Sequence, residues 1–182
     1  MPINFGYFSQ DSNFKSRFYP DYSILQHQVE HLRGVGAKIV LTSGSFDLFH
    51  IGHALYLERA KQCGDILIVG VDDDEKIRNR KGEGRPVNPQ SERAQILSHL
   101  RSVDIITLKY DEDPKWELIR IVRPEILVAT EDNYTSEEIF ELESFYCGKV
   151  VVMPRQAETS TSAKVRKMNL KNAKKLSKKR GE

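Results

Sequence analysis

Residues 38–57 read KIVLTSGSFDLFHIGHALYL, an apolar run, a polar glycine-bearing loop and the start of a helical pattern in immediate succession. That order is the first β-loop-α step of a parallel sheet. Four more short apolar runs follow, DILIVGV at 65–71, VDIITL at 103–108, EILVA at 125–129 and KVVVM at 149–153. All are continuous rather than alternating, which is the pattern of strands buried on both faces. The segments between them carry helical spacing and helix-end chemistry. His53 to Cys63 runs up to Gly64, and the segment from Thr135 stops at Gly148. Thr135 and Glu138 are spaced as a capping box, and Asn88-Pro89 reads as an N-cap followed by proline at the first helical position. The expected fold is an α/β, Rossmann-like parallel five-stranded sheet with helices on both faces. In such a sheet ligands bind beyond the carboxyl ends of the strands.

The chain has 182 residues, 39% apolar and 30% charged, enough for one domain over 21–163. Flanking it are an aromatic arm at 1–20, with Phe5, Tyr7, Phe8, Phe14, Phe18 and Tyr19, and a basic helix or tail at 164–182. The arm must bury its rings somewhere, and a partner subunit is one surface that would do so. Nine of the 28 Lys and Arg but one of the 26 acids lie from Lys164 onward, so a formal charge of +2 combines an acidic body with a basic tail. The tail has no interleaved aromatics for base stacking, and no nucleic-acid partner is expected. No apolar run approaches the roughly 18 residues of a membrane span, and MPINFGYFSQ lacks the layout of a secretory leader. A cytoplasmic protein is expected, with Cys63 and Cys147 as reduced packing residues. On the helix from Asp21 to Arg33, Ile24, Leu25 and Leu32 share one side, and His27 and His31 are read as an exposed face for want of a third metal ligand.

The loop SGSFDLFHIGH lies at a strand's carboxyl end and enters a helix near His53. Gly44 permits a sharp turn and a close ligand approach. His50 and His53, on either side of Gly52, can direct two imidazoles at one phosphate. This layout suits nucleotidyl transfer, where catalysis is mostly positioning and electrostatic stabilisation and an ionised phosphate nucleophile needs no general base.

GSFDLFHIGH resembles the G-T-F-D-x-x-H-x-G-H signature of the nucleotidyltransferase superfamily. Over Arg80 to Asp104, RKGEGRPVNPQSERAQILSHLRSVD is similar to the adenylyltransferase of ADP-heptose synthases and less closely to glycerol-3-phosphate cytidylyltransferases. The resemblance implies His50, His53 and Lys81 as catalytic groups. It implies a nucleotide site from Ser43, Gly44, Ser45, Phe46, Gly52, Arg85, Thr130, Asp132, Arg155, Ser160, Thr161 and Ser162. Asp47, Asp74, Arg93 and Arg101 would serve the second substrate, with surface salt bridges the other reading of the two arginines. Mg²⁺ is expected with the nucleotide, with Asp47 and Asp74 as helpers, and a homodimer is expected as the assembly.

The implied reaction moves a nucleoside monophosphate, AMP from ATP by preference, to a phosphorylated sugar or polyol such as a heptose 1-phosphate. The alternatives are a CTP-dependent cytidylyltransferase of a polyol phosphate and a nucleotide-binding module without turnover. His50-Ile51-Gly52-His53 also spells the synthetase signature, but RKMNLK is a poor match to the lysine-methionine-serine-lysine loop of that class. Where ADP-heptose synthases carry Lys-Gly-Gly-Asp after the fourth strand, this chain has Ala129, Thr130, Glu131 and Asp132.

Overall fold

The structure, a computed structural model, describes residues 13–154. Each apolar run forms a strand: β1 Ile39–Gly44, β2 Ile66–Asp72, β3 Ile105–Lys109, β4 Ile126–Thr130 and β5 Lys149–Met153. All pair in parallel, in the order β3-β2-β1-β4-β5. The helices are α1 Phe14–Arg17, α2 Tyr22–Gly34, α3 Ile51–Lys61, α4 Asp74–Lys81, α5 Gln90–Ser98, α6 Glu117–Val122 and α7 Ser136–Phe145.

Alternate strand residues feed two cores. Val40, Leu67 and Val69 meet Leu57 and Ala60 of α3 and Ala94 and Leu97 of α5. On the other face Ile39, Leu41, Ile68 and Leu127 meet Leu25 and Val29 of α2, Leu118 of α6 and Leu142 of α7. Each buried Leu, Ile or Val contributes about 1.5–3 kcal/mol, so the two-sided burial holds the sheet. The close fit of α6 depends on Gly70, where an added Cβ would come 2.5 Å from Leu118 Cδ2.

Some local expectations shift. Val103 and Asp104 precede β3; the Asp104 carboxylate receives the Leu67 amide at 2.7 Å and the Lys61 ammonium at 2.6 Å. Ile24 is exposed, and Val29 joins Leu25 on the buried side of α2. Pro89 rather than Asn88 takes the cap position of α5, because the Asn88 amide is drawn to Asp47 at 3.1 Å. The capping box of Thr135 and Glu138 forms. His27 and His31 are exposed, and no group of three His, Cys, Asp or Glu among the described residues could hold a metal. Cys63 packs on one core and Cys147 on the other, both as free thiols.

The arm's described end folds onto its own chain. Phe14 and Phe18 stack at 4.9 Å and pack beside the α3–α5 core. Phe18 bridges Ile106, and the Tyr19 amide donates to the Ile106 carbonyl at 2.8 Å, covering the outer edge of β3. The Phe5, Tyr7 and Phe8 reading and the tail at 164–182 lie outside the described residues. Among those residues no helix is long and apolar enough to cross a membrane.

Candidate active site

β1 lies between β2 and β4, so the chain leaves its carboxyl end at the switch in strand order. Gly44 ends β1 opposite Val71, without the positive φ of a turn glycine. Its bare Cα has another use: a Cβ there would sit 3.3 Å from the Phe46 ring, which folds back over it. The sharp turns expected at Gly44 are made by Phe46 (φ 47°) and Leu48 (φ 50°). Left-handed backbone costs a side-chain-bearing residue roughly 1–2 kcal/mol, so the loop persists only because its surroundings hold it.

The helix begins earlier than expected. His50 is the N-cap of α3, and its Nδ1 accepts the Gly52 amide at 3.1 Å. A neutral imidazole that accepts at Nδ1 carries its proton on Nε2, leaving that atom as a donor. Three residues on, His53 returns to the same side of the first turn, and the two rings stack at 3.9 Å with 21° between their planes. Phe46 stands edge-on to His53 at 5.5 Å, and Phe49 lies tilted against it at 5.3 Å. Both imidazoles are thereby fixed at the amino end of an 11-residue helix, where backbone amides and the helix dipole favour an anion.

Residues 81–93 clamp the loop from outside. Lys81 Nζ donates to Ser45 Oγ at 3.0 Å, and Arg93 Nη1 to the Ser45 carbonyl at 2.6 Å. Asp47, fully buried, receives Arg85 Nε at 2.8 Å and the amides of Val87 and Asn88 at 3.1 Å. Burial opposes ionisation of Asp47, but those two amides and the Arg85 guanidinium outweigh it and hold its pKa below the usual carboxylate value. Arg93, 1% exposed, also reaches the Asn88 carbonyl at 3.0 Å and Asp74 at 2.7 Å. Burial lowers the Lys81 pKa, and the nearby Arg80 and Arg85 lower it further against the pull of Asp47 and Asp72. An incoming polyphosphate would relieve that repulsion.

His50, His53, Ser45, Phe46, Lys81 and Arg85 therefore come together, with Ser43 at the end of β1 and Gly52 buried in the first turn of α3. Asp47 and Asp74, expected to face substrate or Mg²⁺, are each engaged by an arginine instead. Among the described residues the acids build no protein-only metal site; Mg²⁺ is usually held by one or two carboxylates together with substrate phosphates rather than by such a cage. Arg93 is neither a surface salt bridge nor open to a ligand but a buried tie. Arg101 stands exposed in the turn before β3, at the end of the sheet opposite the histidines. Thr130 ends β4 and bonds through its hydroxyl to Asn133 Oδ1, with Asp132 exposed beside it. Arg155, Ser160, Thr161 and Ser162 lie outside the described residues.

Sequence reasoning passed over Thr42 and Tyr56. The Thr42 hydroxyl donates to the Val128 carbonyl at 2.9 Å and lies 2.7 Å from Tyr56 Oη, bolting α3 and β1 to β4 beneath the site. Burial pushes the Tyr56 hydroxyl up to about 12. A threonine at the end of an apolar run was the available signal.

The cytidylyltransferase-like family matches residues 41–177. The bifunctional protein HldE of Wolinella succinogenes is 42% identical over 144 residues, 79% of this chain and 30% of that one. HldE of a Nitratiruptor species is 43% identical over 122 residues, 67% of this chain and 26% of that one. This chain thus spans under a third of those relatives' length. A lipopolysaccharide core biosynthesis protein of Thermoplasma volcanium superposes over its whole length and 67% of this chain, with a TM-score of 0.57 and 30% identity. The pantoate-beta-alanine ligase of Francisella tularensis, 17% identical with a TM-score of 0.59 over 80% of this chain and 68% of its own, shares the fold. The chain belongs to the cytidylyltransferase-like family.

Proposed function

We propose that this domain transfers AMP from ATP to a phosphorylated sugar of the heptose 1-phosphate class and releases pyrophosphate. The observation that carries the reading is the closing of KGEGRPVNP over GSFD: Lys81 and Arg85 converge on Ser45 and Asp47 beside the stacked histidines. The preference for ATP and a heptose phosphate rests on the resemblance of residues 80–104 to ADP-heptose synthases and on the identity with the HldE relatives.

In this reading an oxygen of the acceptor's phosphate attacks the α-phosphorus, the bond to the β-phosphate oxygen breaks, and pyrophosphate leaves. No base is needed, since a phosphate monoester is already ionised near pH 7. His50 Nε2–H and His53 donate to phosphate oxygens as charge builds, and Lys81 exchanges the neutral Ser45 hydroxyl for the triphosphate. Magnesium arrives with the nucleotide and neutralises part of its charge. The assembly we propose is a cytoplasmic homodimer, for which the exposed Phe140 and Phe145 of α7 offer apolar surface; sedimentation reads it directly.

The loop at Thr130–Asn133 favours keeping the CTP-dependent reading in second place, because a bulky, self-bonded turn stands where those relatives carry glycines. A pyrophosphate-release screen crossing ATP, CTP, GTP and UTP with sugar and polyol phosphates decides between them. ATP with a heptose 1-phosphate is expected to turn over fastest. Nucleotide binding with no pyrophosphate from any pair would leave a binding module without turnover.

A further inference from the structure

The chemistry above leaves one half-buried cation unused. Lys109 closes β3 in register with Asp72, the last residue of β2. Both strands end on the edge of the sheet that carries the histidine loop, on the side of β1 away from β4. Register partners on neighbouring parallel strands point to the same face, so the ammonium and carboxylate stems leave the sheet together. Yet Asp72, 2% exposed, is taken by Arg80 Nη2 at 2.8 Å. Asp113, the other acid acting on Lys109, receives the Tyr22 hydroxyl at 2.6 Å and the Tyr110 amide at 2.9 Å. Lys76 donates to the Tyr110 carbonyl at 2.8 Å. Among the described residues Lys109 has no carboxylate within ion-pair distance. Burial acts first to lower its pKa, with Lys76 and Arg80 adding to that and Asp72 and Asp113 opposing it.

A half-buried lysine with no carboxylate at ion-pair distance, beside an Asp72 already bonded to Arg80, is placed to take an anion from outside. The last turn of α4 carries Arg78, Arg80 and Lys81, and the last two part company: Lys81 turns to Ser45 and the nucleotide loop, Arg80 to Asp72 beside Lys109. We propose that Lys109, with Arg80, forms a second anion subsite that holds the phosphate of the acceptor substrate while Lys81 serves the nucleotide. The identity of the anion as a phosphate monoester rests on the transfer reading; the subsite itself rests on the geometry.

The test is calorimetric binding to the full chain, with inorganic phosphate and glucose 1-phosphate as acceptor-side probes and magnesium-ATP as the nucleotide. Lys109→Met should weaken both phosphate probes by about tenfold or more, the scale of one charge-assisted contact, and leave ATP affinity within about twofold. Lys109→Arg should restore probe binding. In wild-type protein, inorganic phosphate should slow acetylation of Lys109 relative to chloride at equal ionic strength, read by mass spectrometry without any variant. Unchanged probe binding in Lys109→Met, absent protection, or no phosphate binding by the wild type would each overturn the subsite. An equal loss of ATP affinity would overturn it too, by assigning Lys109 to the nucleotide's own phosphates. Wild-type protein that binds phosphate at Lys109 but releases no pyrophosphate sinks the transfer reading and leaves the subsite standing.

Discussion

The loops that leave β1 and β4 end neighbouring strands and are held in opposite ways. After β1, Ser45 and Asp47 are gripped by Lys81, Arg85 and Arg93, three cations that arrive from 36 to 48 residues away. After β4, Thr130 bonds only three residues ahead, to Asn133 through amide and hydroxyl, and the Asn133 amide returns to the Thr130 carbonyl at 3.0 Å. The first loop is strained and externally braced; the second is closed on itself. A braced loop keeps left-handed residues and two stacked imidazoles in one arrangement, as phosphate chemistry requires. A self-closed loop is free to differ between relatives without disturbing that arrangement. In the function proposed above, reaction class and substrate choice would thus sit on different strands.

Removing the brace should have the largest effect. Asp47→Ala leaves the Arg85 guanidinium and two amides without their acceptor, and a broken buried pair costs about 3–5 kcal/mol; denaturant midpoints measure it. Because Asp47 titrates below its unfolded value of about 3.9, its contribution is complete above that pH and lost as pH falls through the lower folded value. The wild-type midpoint should therefore drop below about pH 4, and Asp47→Asn should flatten that part of the profile.

The histidines come next. His50→Ala or His53→Ala should lower kcat about a hundredfold or more, the scale of one preorganised donor. Asparagine also caps helices well, so His50→Asn should keep wild-type stability while still losing turnover. Equal activity in that variant would assign His50 to capping alone.

Lys81→Met should cut kcat/KM for nucleotide about tenfold. Its pKa lies below the ordinary lysine value of about 10.4, so kcat/KM should fall on an alkaline limb beginning below that pH. Lys81→Arg should move the limb upward, since arginine stays charged. On the β4 side, Asn133→Ala should cost about 1 kcal/mol for its hydrogen bonds and alter the ATP-to-CTP ratio more than the turnover rate. Arg101→Ala, at the far end of the sheet, should leave both within about twofold, and a larger loss would reopen its role at the site.

The strands were legible because burial on both faces writes itself as continuous apolar runs, and the histidine loop because its spacing is local. The capping box at Thr135 was legible for the same reason. What could not be read was long-range pairing. Helical spacing gives no sign that Arg93 turns inward to Ser45, that Asn88 yields its cap to reach Asp47, or that Asp74 is already engaged. Gly44 looked like the turn residue because glycine tolerates turns; Phe46 took the strained conformation because its ring packs over Gly44 and against His53.

The most direct test is a crystal structure with magnesium and a non-hydrolysable ATP analogue. We expect the triphosphate against the His50 and His53 rings at the amino end of α3, with Lys81 withdrawn from Ser45 to a phosphate oxygen. A phosphate chain lodged away from both rings, with the Lys81–Ser45 bond intact, would contradict this.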